Sequence, residues 1–215
     1  MDAIVENLPV FIDGFLRTLS LLAIAGPGAF VVGTVVAALR ISPVAAFRSI
    51  STVYTELVRN TPLTLLLFGC AFVLPYLGVR LDFYLLAVIG LTVYTSPFVA
   101  EAIRSGVNGV ALGQAEAARS LGLGFGQTLQ HVVMPQAIRM VIPPLINVFI
   151  ALTKNTSVAG GFFVVELFAS ARTVIQFRGD AVIAILLGVA FFYLVVTIPL
   201  GFIAGRIEKK VAVLR

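Results

Sequence analysis

Five long apolar runs constrain this chain more than any other feature of its sequence. Four of them contain no charged residue, and the fifth contains only Lys154. A helix needs about 20 apolar residues to cross the hydrocarbon core of a bilayer. The sequence therefore predicts an all-α integral membrane protein with five spans, at residues 18–39, 61–79, 83–100, 140–165 and 181–205.

The basic residues predict how these spans are oriented, because cytoplasmic loops are enriched in Lys and Arg. With the N-terminus outside, the cytoplasmic side holds Arg40, Arg48, Arg104, Arg119, Arg139, Arg206, Lys209, Lys210 and Arg215. The outer side then holds only Arg17, Arg80, Arg172 and Arg178. We expect an extracytoplasmic N-terminus (1–14), a transmembrane domain (15–206) with a cytoplasmic loop at about 104–139, and a cytoplasmic tail (207–215).

Composition argues against several classes of function. Only 12% of the residues are charged, about half the usual share for a soluble domain. The basic residues are scattered and form no aromatic-interleaved face, so we expect no nucleic-acid partner. The single cysteine, Cys70, and the single histidine, His131, provide no cluster of metal ligands.

The loop at 104–139 is polar and punctuated by glycine, which is unusual in so apolar a chain. "LGQAEAARSLG" is rich in helix-forming residues and ends at Gly122, a natural helix stop. "GQTLQHVVM" predicts a second short helix that halts near Pro135. We expect a compact hairpin that presents the small residues Ala117, Ala118 and Gly122 on its surface.

This hairpin resembles the EAA coupling motif of the permease subunits of bacterial ABC importers. Its elements are Glu116-Ala117-Ala118, then Gly122, Val132 and Met134-Pro135, where the motif usually has Ile and Leu in place of Val132 and Met134. "VRNTPLTL" (58–65), "YTSPFVAEAIRSG" (94–106), "PQAIR" (135–139) and "LTKNTS" (152–157) look like the polar amino acid permeases of the histidine, glutamine, glutamate and arginine type, and most like the glutamate branch.

The resemblance implies a five-span type I ABC importer permease in the cytoplasmic membrane of a prokaryote. It implies that Glu116, Ala117, Ala118, Gly122 and Pro135 couple the permease to separate ABC ATPase subunits. ATP and Mg²⁺ would then bind to the ATPase and no cofactor to this chain, which has no G-x-x-x-x-G-K-[ST] loop. The other implied partners are an identical or homologous permease, an extracytoplasmic solute-binding protein and a polar amino acid.

Polar residues within the spans predict the substrate pathway. Lys154 is costly at membrane depth unless it is paired or hydrated, and Asn155, Thr156 and Ser157 extend a polar cluster next to it. We expect this cluster to face a substrate pathway, although a lysine that snorkels to the interface fits the same pattern. Arg59 either faces the pathway or caps the second span.

Two acidic residues have simpler interpretations. Glu101 and Arg104 lie three apart on one helical face, which predicts a local ion pair. Glu166 either gates the outer side or caps a short helix.

The sequence thus predicts the permease of an ATP-driven importer for a polar amino acid, with glutamate favoured over glutamine, aspartate or a basic amino acid by resemblance. The chain itself is not expected to be an enzyme, because it offers no nucleophile–base pair and no metal cluster. The alternative is a secondary transporter or channel driven by an ion gradient. That class would favour carboxylates at the centres of the spans and would have no need of an EAA-like loop.

Overall fold

The computed structural model describes residues 2–212, and this range is helical with no strand. A short helix α1 (Asp2–Glu6) precedes the long helix α2 (Leu8–Arg40). The next elements are α3 (Ala45–Arg59), α4 (Leu63–Phe68), α5 (Leu74–Tyr76) and α6 (Phe83–Asn108). The second half contains α7 (Leu112–Ser120), α8 (Phe125–Thr128), α9 (Met134–Ala159), α10 (Leu167–Phe177) and α11 (Val182–Ala212).

Among the described residues, four helices are long and apolar enough to cross a membrane: Leu8–Arg40, Phe83–Asn108, Phe125–Ala159 and Gly179–Lys210. The predicted second span differs from these four. It forms the second half of a bent pair, Ala45–Arg59 and Leu63–Tyr76, whose axes meet at 99°. By length and composition, residues 2–212 therefore contain four candidate spans, or five if the bent pair counts as one. Pro62 explains the bend, since the residue before a proline disfavours the α conformation and Pro62 itself is extended (φ −59°, ψ 136°).

Helix α3 has an inverted pattern of burial. Its buried residues are the polar Ser51 and Thr55, whereas Ile50, Val53 and Leu57 are exposed. Tyr54 donates a hydrogen bond to the Val93 carbonyl oxygen (3.1 Å), which fastens α3 to α6. An apolar outer face of this kind suits contact with lipid or with another membrane chain rather than with water.

Helix α2, the first candidate span, starts ten residues before its predicted uncharged run. Asp13 and Arg17 lie in this added part, and both are exposed, while Phe11 and Gly14 on the opposite face are buried. A search for charge-free runs misses such a segment because it counts charges without asking which side of the helix they occupy.

Two π-helical turns, Gly69–Val73 and Leu129–Val133, each lie immediately before a Leu-Pro or Met-Pro pair. A proline inside a helix donates no hydrogen bond and its ring clashes with the carbonyl four residues earlier. A widened π turn accommodates both defects. The predicted halt near Pro135 is therefore wrong, because the helix continues through it from Phe125 to Ala159.

The spans pack through small residues, as membrane helices commonly do. A Cβ added at Gly33 would lie 2.6 Å from the Ser96 carbonyl oxygen, so α2 and α6 are in backbone contact there. The main core joins α2, α4, α6 and α9 and contains Leu21, Ala25, Leu63, Leu67, Ala87, Val88, Leu91, Leu152, Ala159 and Val164. A second core joins α1, α2, α10 and α11.

Candidate functional site

A cavity of about 420 Å³ lies between α6 and α9 and opens to the surface of the chain. Helix α6 contributes Tyr94, Thr95 and Phe98, and helix α9 contributes Asn147, Val148, Ala151, Leu152 and Asn155. Its size falls in the range of small-molecule sites, which combine apolar walls with a few polar groups.

The spacing along each helix explains why these residues share the cavity wall. Tyr94 and Phe98 are four apart, and Asn147, Ala151 and Asn155 follow the same interval, so each set lies on one helical face. The sequence analysis did not include Tyr94, Phe98 or Asn147 in the pathway. The sequence feature that could have predicted this wall is the pair Asn147 and Asn155, which lie eight residues apart in an apolar run.

The predicted polar cluster at 154–157 is divided by the helix geometry. Asn155 lines the cavity, and Lys154 beside it is exposed. Thr156 is fully buried and donates to the Thr153 carbonyl oxygen (2.7 Å), while the Ser157 hydroxyl donates to the Lys154 carbonyl oxygen (2.7 Å). Within the described residues Lys154 forms no ion pair, so its ammonium group is available to a ligand or to water.

Glu101 binds the predicted partner Arg104 and also arginines from two other helices. Its Oε2 accepts from Arg104 Nη2 (2.8 Å), its Oε1 accepts from Arg40 Nη1, and Arg59 Nη1 lies 3.8 Å from Oε1. The expected local pair is confirmed, but the sequence did not predict the partners from α2 and α3, which lie 61 and 42 residues away. Contacts over such separations depend on how the helices pack.

Glu166 caps α10. Its carboxylate accepts hydrogen bonds from the backbone N–H groups of Phe168 (2.9 Å) and Ala169 (2.8 Å) and from the Tyr193 hydroxyl (3.1 Å). The side chain is fully buried, and this burial raises the pKa of the Glu166 carboxyl above its ordinary value although the three donors act to lower it. Of the two interpretations left open for Glu166, this geometry favours the cap.

The hairpin at 112–133 is built around Gly122, which has a left-handed conformation (φ +88°). The Gly122 N–H donates to the Arg119 carbonyl (2.9 Å) and the Leu123 N–H donates to the Ala118 carbonyl (3.2 Å). This pair of bonds is the Schellman motif that ends many helices at glycine, so the predicted stop at Gly122 is confirmed. The second helix begins at Phe125, where the Gln127 side chain accepts from the Gly124 N–H (3.0 Å).

The hairpin surface differs from the expected one at one position. Glu116, Ala117 and Pro135 are exposed, but Ala118 is only 5% exposed and so is not on the surface. Ala118 instead faces the interior of the hairpin. Large apolar side chains are exposed there in its place: Leu112, Leu121 and Phe125. Such side chains on a polar segment are typical of a protein-binding surface.

Comparison with known proteins identifies the family. The profile of the "Binding-protein-dependent transport system inner membrane component" family matches residues 29–213. The chain is 42% identical over 205 residues to the "Probable glutamine ABC transporter permease protein GlnM" of Bacillus subtilis (strain 168), covering 95% of this chain and 94% of that one. It is 41% identical over 217 residues to the "Glutamate transport system permease protein GluC" of Corynebacterium efficiens, covering 95% of each.

A solved structure, "Crystal structure of an amino acid ABC transporter with histidines", superposes with a TM-score of 0.88 at 29% identity and covers 96% of both chains. A methionine ABC transporter superposes with a TM-score of 0.70 at 20% identity, which shows likeness of fold alone. The chain thus belongs to the family of binding-protein-dependent transport system inner membrane components: it is an ABC importer permease of the amino acid type, a multi-pass component of the inner membrane and not an enzyme.

Proposed function

We propose that this chain carries glutamate through the membrane as one half of an ATP-driven importer, with the cavity between α6 and α9 as its substrate site. The cavity carries this proposal because it offers what a polar amino acid requires at membrane depth. Asn147 and Asn155 supply amide groups, and Tyr94 and Phe98 supply aromatic walls. Thr95 adds a buried hydroxyl that has no hydrogen-bond partner among the described residues.

Lys154 favours an acidic substrate over a neutral one. Glutamate carries one net negative charge at neutral pH, and a carboxylate without a partner is strongly disfavoured in an apolar passage. The Lys154 ammonium is exposed next to Asn155 and forms no ion pair within the described range. Relatives of this chain are named for glutamate and for glutamine. These two substrates differ only in the side-chain carboxylate or amide, which is the group that Lys154 would contact.

The test is uptake by Lys154→Met in proteoliposomes that contain the ATPase and excess binding protein. Glutamate uptake should fall about tenfold or more, since a hydrogen bond to a charged group contributes about 1.5–3 kcal/mol, whereas glutamine uptake and basal ATP hydrolysis should change little. Lys209→Met is the matched control, because it removes the same charge from the exposed end of α11. Wild-type glutamate uptake by Lys154→Met would make Lys154 a snorkelling residue and end the case for glutamate. Lys154→Arg keeps the charge but changes its geometry, so it reports on shape separately.

The hairpin is proposed as the docking site for the ATPase. Glu116, Ala117, Gly122 and Pro135 keep the roles that the EAA resemblance implies, and the exposed Leu121 and Phe125 add apolar contact area. Ala118 contributes indirectly, because its carbonyl oxygen accepts the hydrogen bond from the Leu123 N–H at the turn of the hairpin. Because α9 continues from this hairpin without a break in the helix, movement of the docked ATPase has a direct route to the cavity.

The orientation proposed is N-terminus outside and C-terminus in the cytoplasm, with the bent pair α3–α5 counted as one span. It rests on the excess of basic residues at the ends assigned to the cytoplasm. A second permease, identical or homologous, would close the open side of the cavity. A solute-binding protein would deliver the amino acid to the outer side. The alternative of a carrier driven by an ion gradient is not favoured, because the family is that of binding-protein-dependent transport.

A further inference from the structure

Three arginines surround the single carboxylate of Glu101, and they do not share it equally. Arg40 and Arg104 each contact one carboxylate oxygen closely, Arg40 at Oε1 and Arg104 at Oε2. Arg59 is the most distant of the three, with Nη1 3.8 Å from Oε1, which is beyond hydrogen-bond length. Since an arginine stays charged in proteins, this group of four side chains holds two positive charges that Glu101 does not neutralise.

Arg59 is the arginine of this group that is available to a ligand. Arg40 is 17% exposed, whereas Arg59 is 39% exposed. Arg104 is exposed to a similar degree, but it already donates to Glu101 from both Nε and Nη2. The Arg59 side chain makes no hydrogen bond with any residue in the described range, so all five of its N–H donors are open.

Arg59 also lies beside the proposed substrate cavity. Its guanidinium carbon is 5.6 Å from the centre of the Phe98 ring, a distance that allows a cation–π interaction. Phe98 itself lines the cavity and packs against Tyr94, with ring centres 5.4 Å apart. The Arg59 guanidinium therefore lies against a residue that lines the proposed substrate cavity.

We infer that Arg59 binds the α-carboxylate of the transported amino acid. This assignment rests on the proposed function and adds Arg59 to Lys154 as a second substrate-binding residue. A guanidinium presents a planar fork that matches a carboxylate through two parallel hydrogen bonds. The α-carboxylate is common to glutamate and glutamine, and a cationic site held by helices α2, α3 and α6 suits a group that every substrate carries. Lys154 then distinguishes the side chains, and Arg59 distinguishes amino acids from molecules that lack this carboxylate.

The roles of Lys154 and Arg59 can be separated by measuring ligand affinity directly. The protein is the purified permease–ATPase complex in detergent, without the binding protein. The probes are glutamate, glutamine and isoglutamine, the α-amide of glutamate. Glutamine and isoglutamine are isomers with the same net charge. Any difference in their affinities therefore reports which carboxylate the protein binds and not the total charge. We expect the wild-type complex to bind isoglutamine about tenfold or more weakly than glutamate, the factor for losing one charge-assisted hydrogen-bonded contact.

Arg59→Met should remove the difference between glutamate and isoglutamine, while the difference between glutamate and glutamine remains. Arg59→Lys, which keeps the charge and the fold but loses the fork, should retain part of it. Arg48→Met is the matched control: it removes an arginine from the same helix, where Arg48 instead donates to the Ser42 and Pro43 carbonyl oxygens, and all three affinities should stay at wild-type values.

The outcomes also separate this inference from the proposed function. If Arg59→Met weakens glutamate and isoglutamine by the same factor, Arg59 has only a structural role and the inference is overturned while the transport proposal stands. If the wild-type complex binds neither glutamate nor glutamine, the proposed function fails and the role of Arg59 fails with it.

Discussion

Gly122 offers the sharpest test of the hairpin because only its backbone conformation, and no neighbouring atom, resists a larger side chain. Its φ of +88° lies in the left-handed region, and a Cβ added there would meet nothing within 4 Å. Alanine would therefore cause no clash, but it would carry the cost of a left-handed residue, about 1–2 kcal/mol. By the relation of tenfold per 1.4 kcal/mol, the turn would be about 5–30 times less populated relative to its open forms.

Gly113 is the matched control for this substitution. It lies on the same hairpin, in helix α7, with equally open space around its Cβ position and without a positive φ. Gly113→Ala should stabilise α7 by up to about 1 kcal/mol, because alanine is the better helix former. The same added methyl group is thus expected to act in opposite directions at two positions nine residues apart.

The assay is reconstitution with the ATPase and binding protein, with uptake and stimulated ATP hydrolysis measured at equal amounts of permease in the membrane. Gly122→Ala should lower both several-fold, and Gly122→Val should lower them further because a β-branched residue tolerates this conformation poorly. Gly122→Asn should retain more activity, since asparagine enters the left-handed region more readily. Wild-type coupling by Gly122→Val, with normal amounts of complex, would refute the argument that this turn shapes the ATPase contact.

Two further predictions concern the Glu166 cap of α10 and the orientation of the chain in the membrane. The raised pKa of Glu166 means that the folded protein holds this proton more tightly than the unfolded chain, so the Glu166 contribution to stability is greatest below the ordinary value of 4.5 and falls as pH rises toward the raised pKa. Thermal unfolding in detergent, measured against pH, should show this fall in the wild type and in the exposed-site control Glu208→Gln. The same fall in Glu166→Gln would contradict the prediction. With Cys70 replaced by Ala, an impermeant thiol reagent applied to intact cells should label Arg80→Cys and not Gln114→Cys, and the reverse pattern would invert the proposed orientation.

The parts of the fold that the sequence predicts are those that depend on one helix at a time. Uncharged runs predicted where the spans lie, and helix-forming residues ending at glycine predicted α7 and its stop. The Glu101–Arg104 pair lies within one turn and was predicted for the same reason. Each of these features needs only the local periodicity of the chain.

The features that were missed depend on how helices meet. Arg40 and Arg59 approach Glu101 only because α2, α3 and α6 pack together. The polar groups Ser51 and Thr55 are buried on a helix that packs against both α2 and α6, and this reverses the outward placement that their chemistry suggests. Ala118 is buried because the hairpin folds over it. None of these contacts has a signature in the spacing of residues along a single helix.

The largest error, the halt predicted near Pro135, changes how force would travel in the molecule. Two short helices ending at Pro135 would connect the ATPase contact to the cavity through a flexible joint. The observed helix runs without interruption from Phe125, in the hairpin, past Asn155, in the cavity wall. At 1.5 Å per residue these two positions are roughly 45 Å apart along one axis.

A single helix transmits displacement along its axis because each turn is hydrogen-bonded to the next, and the π turn at Leu129–Val133 preserves this continuity where Pro135 would have broken it. The same helix is weakest at Pro143 and Pro144, where two consecutive residues donate no backbone hydrogen bond. Bending is therefore expected to concentrate between the hairpin and the cavity. The ATPase would then tilt the half of α9 that carries Lys154 and Asn155 relative to α6, and so change the width of the cavity without moving Tyr94 or Phe98.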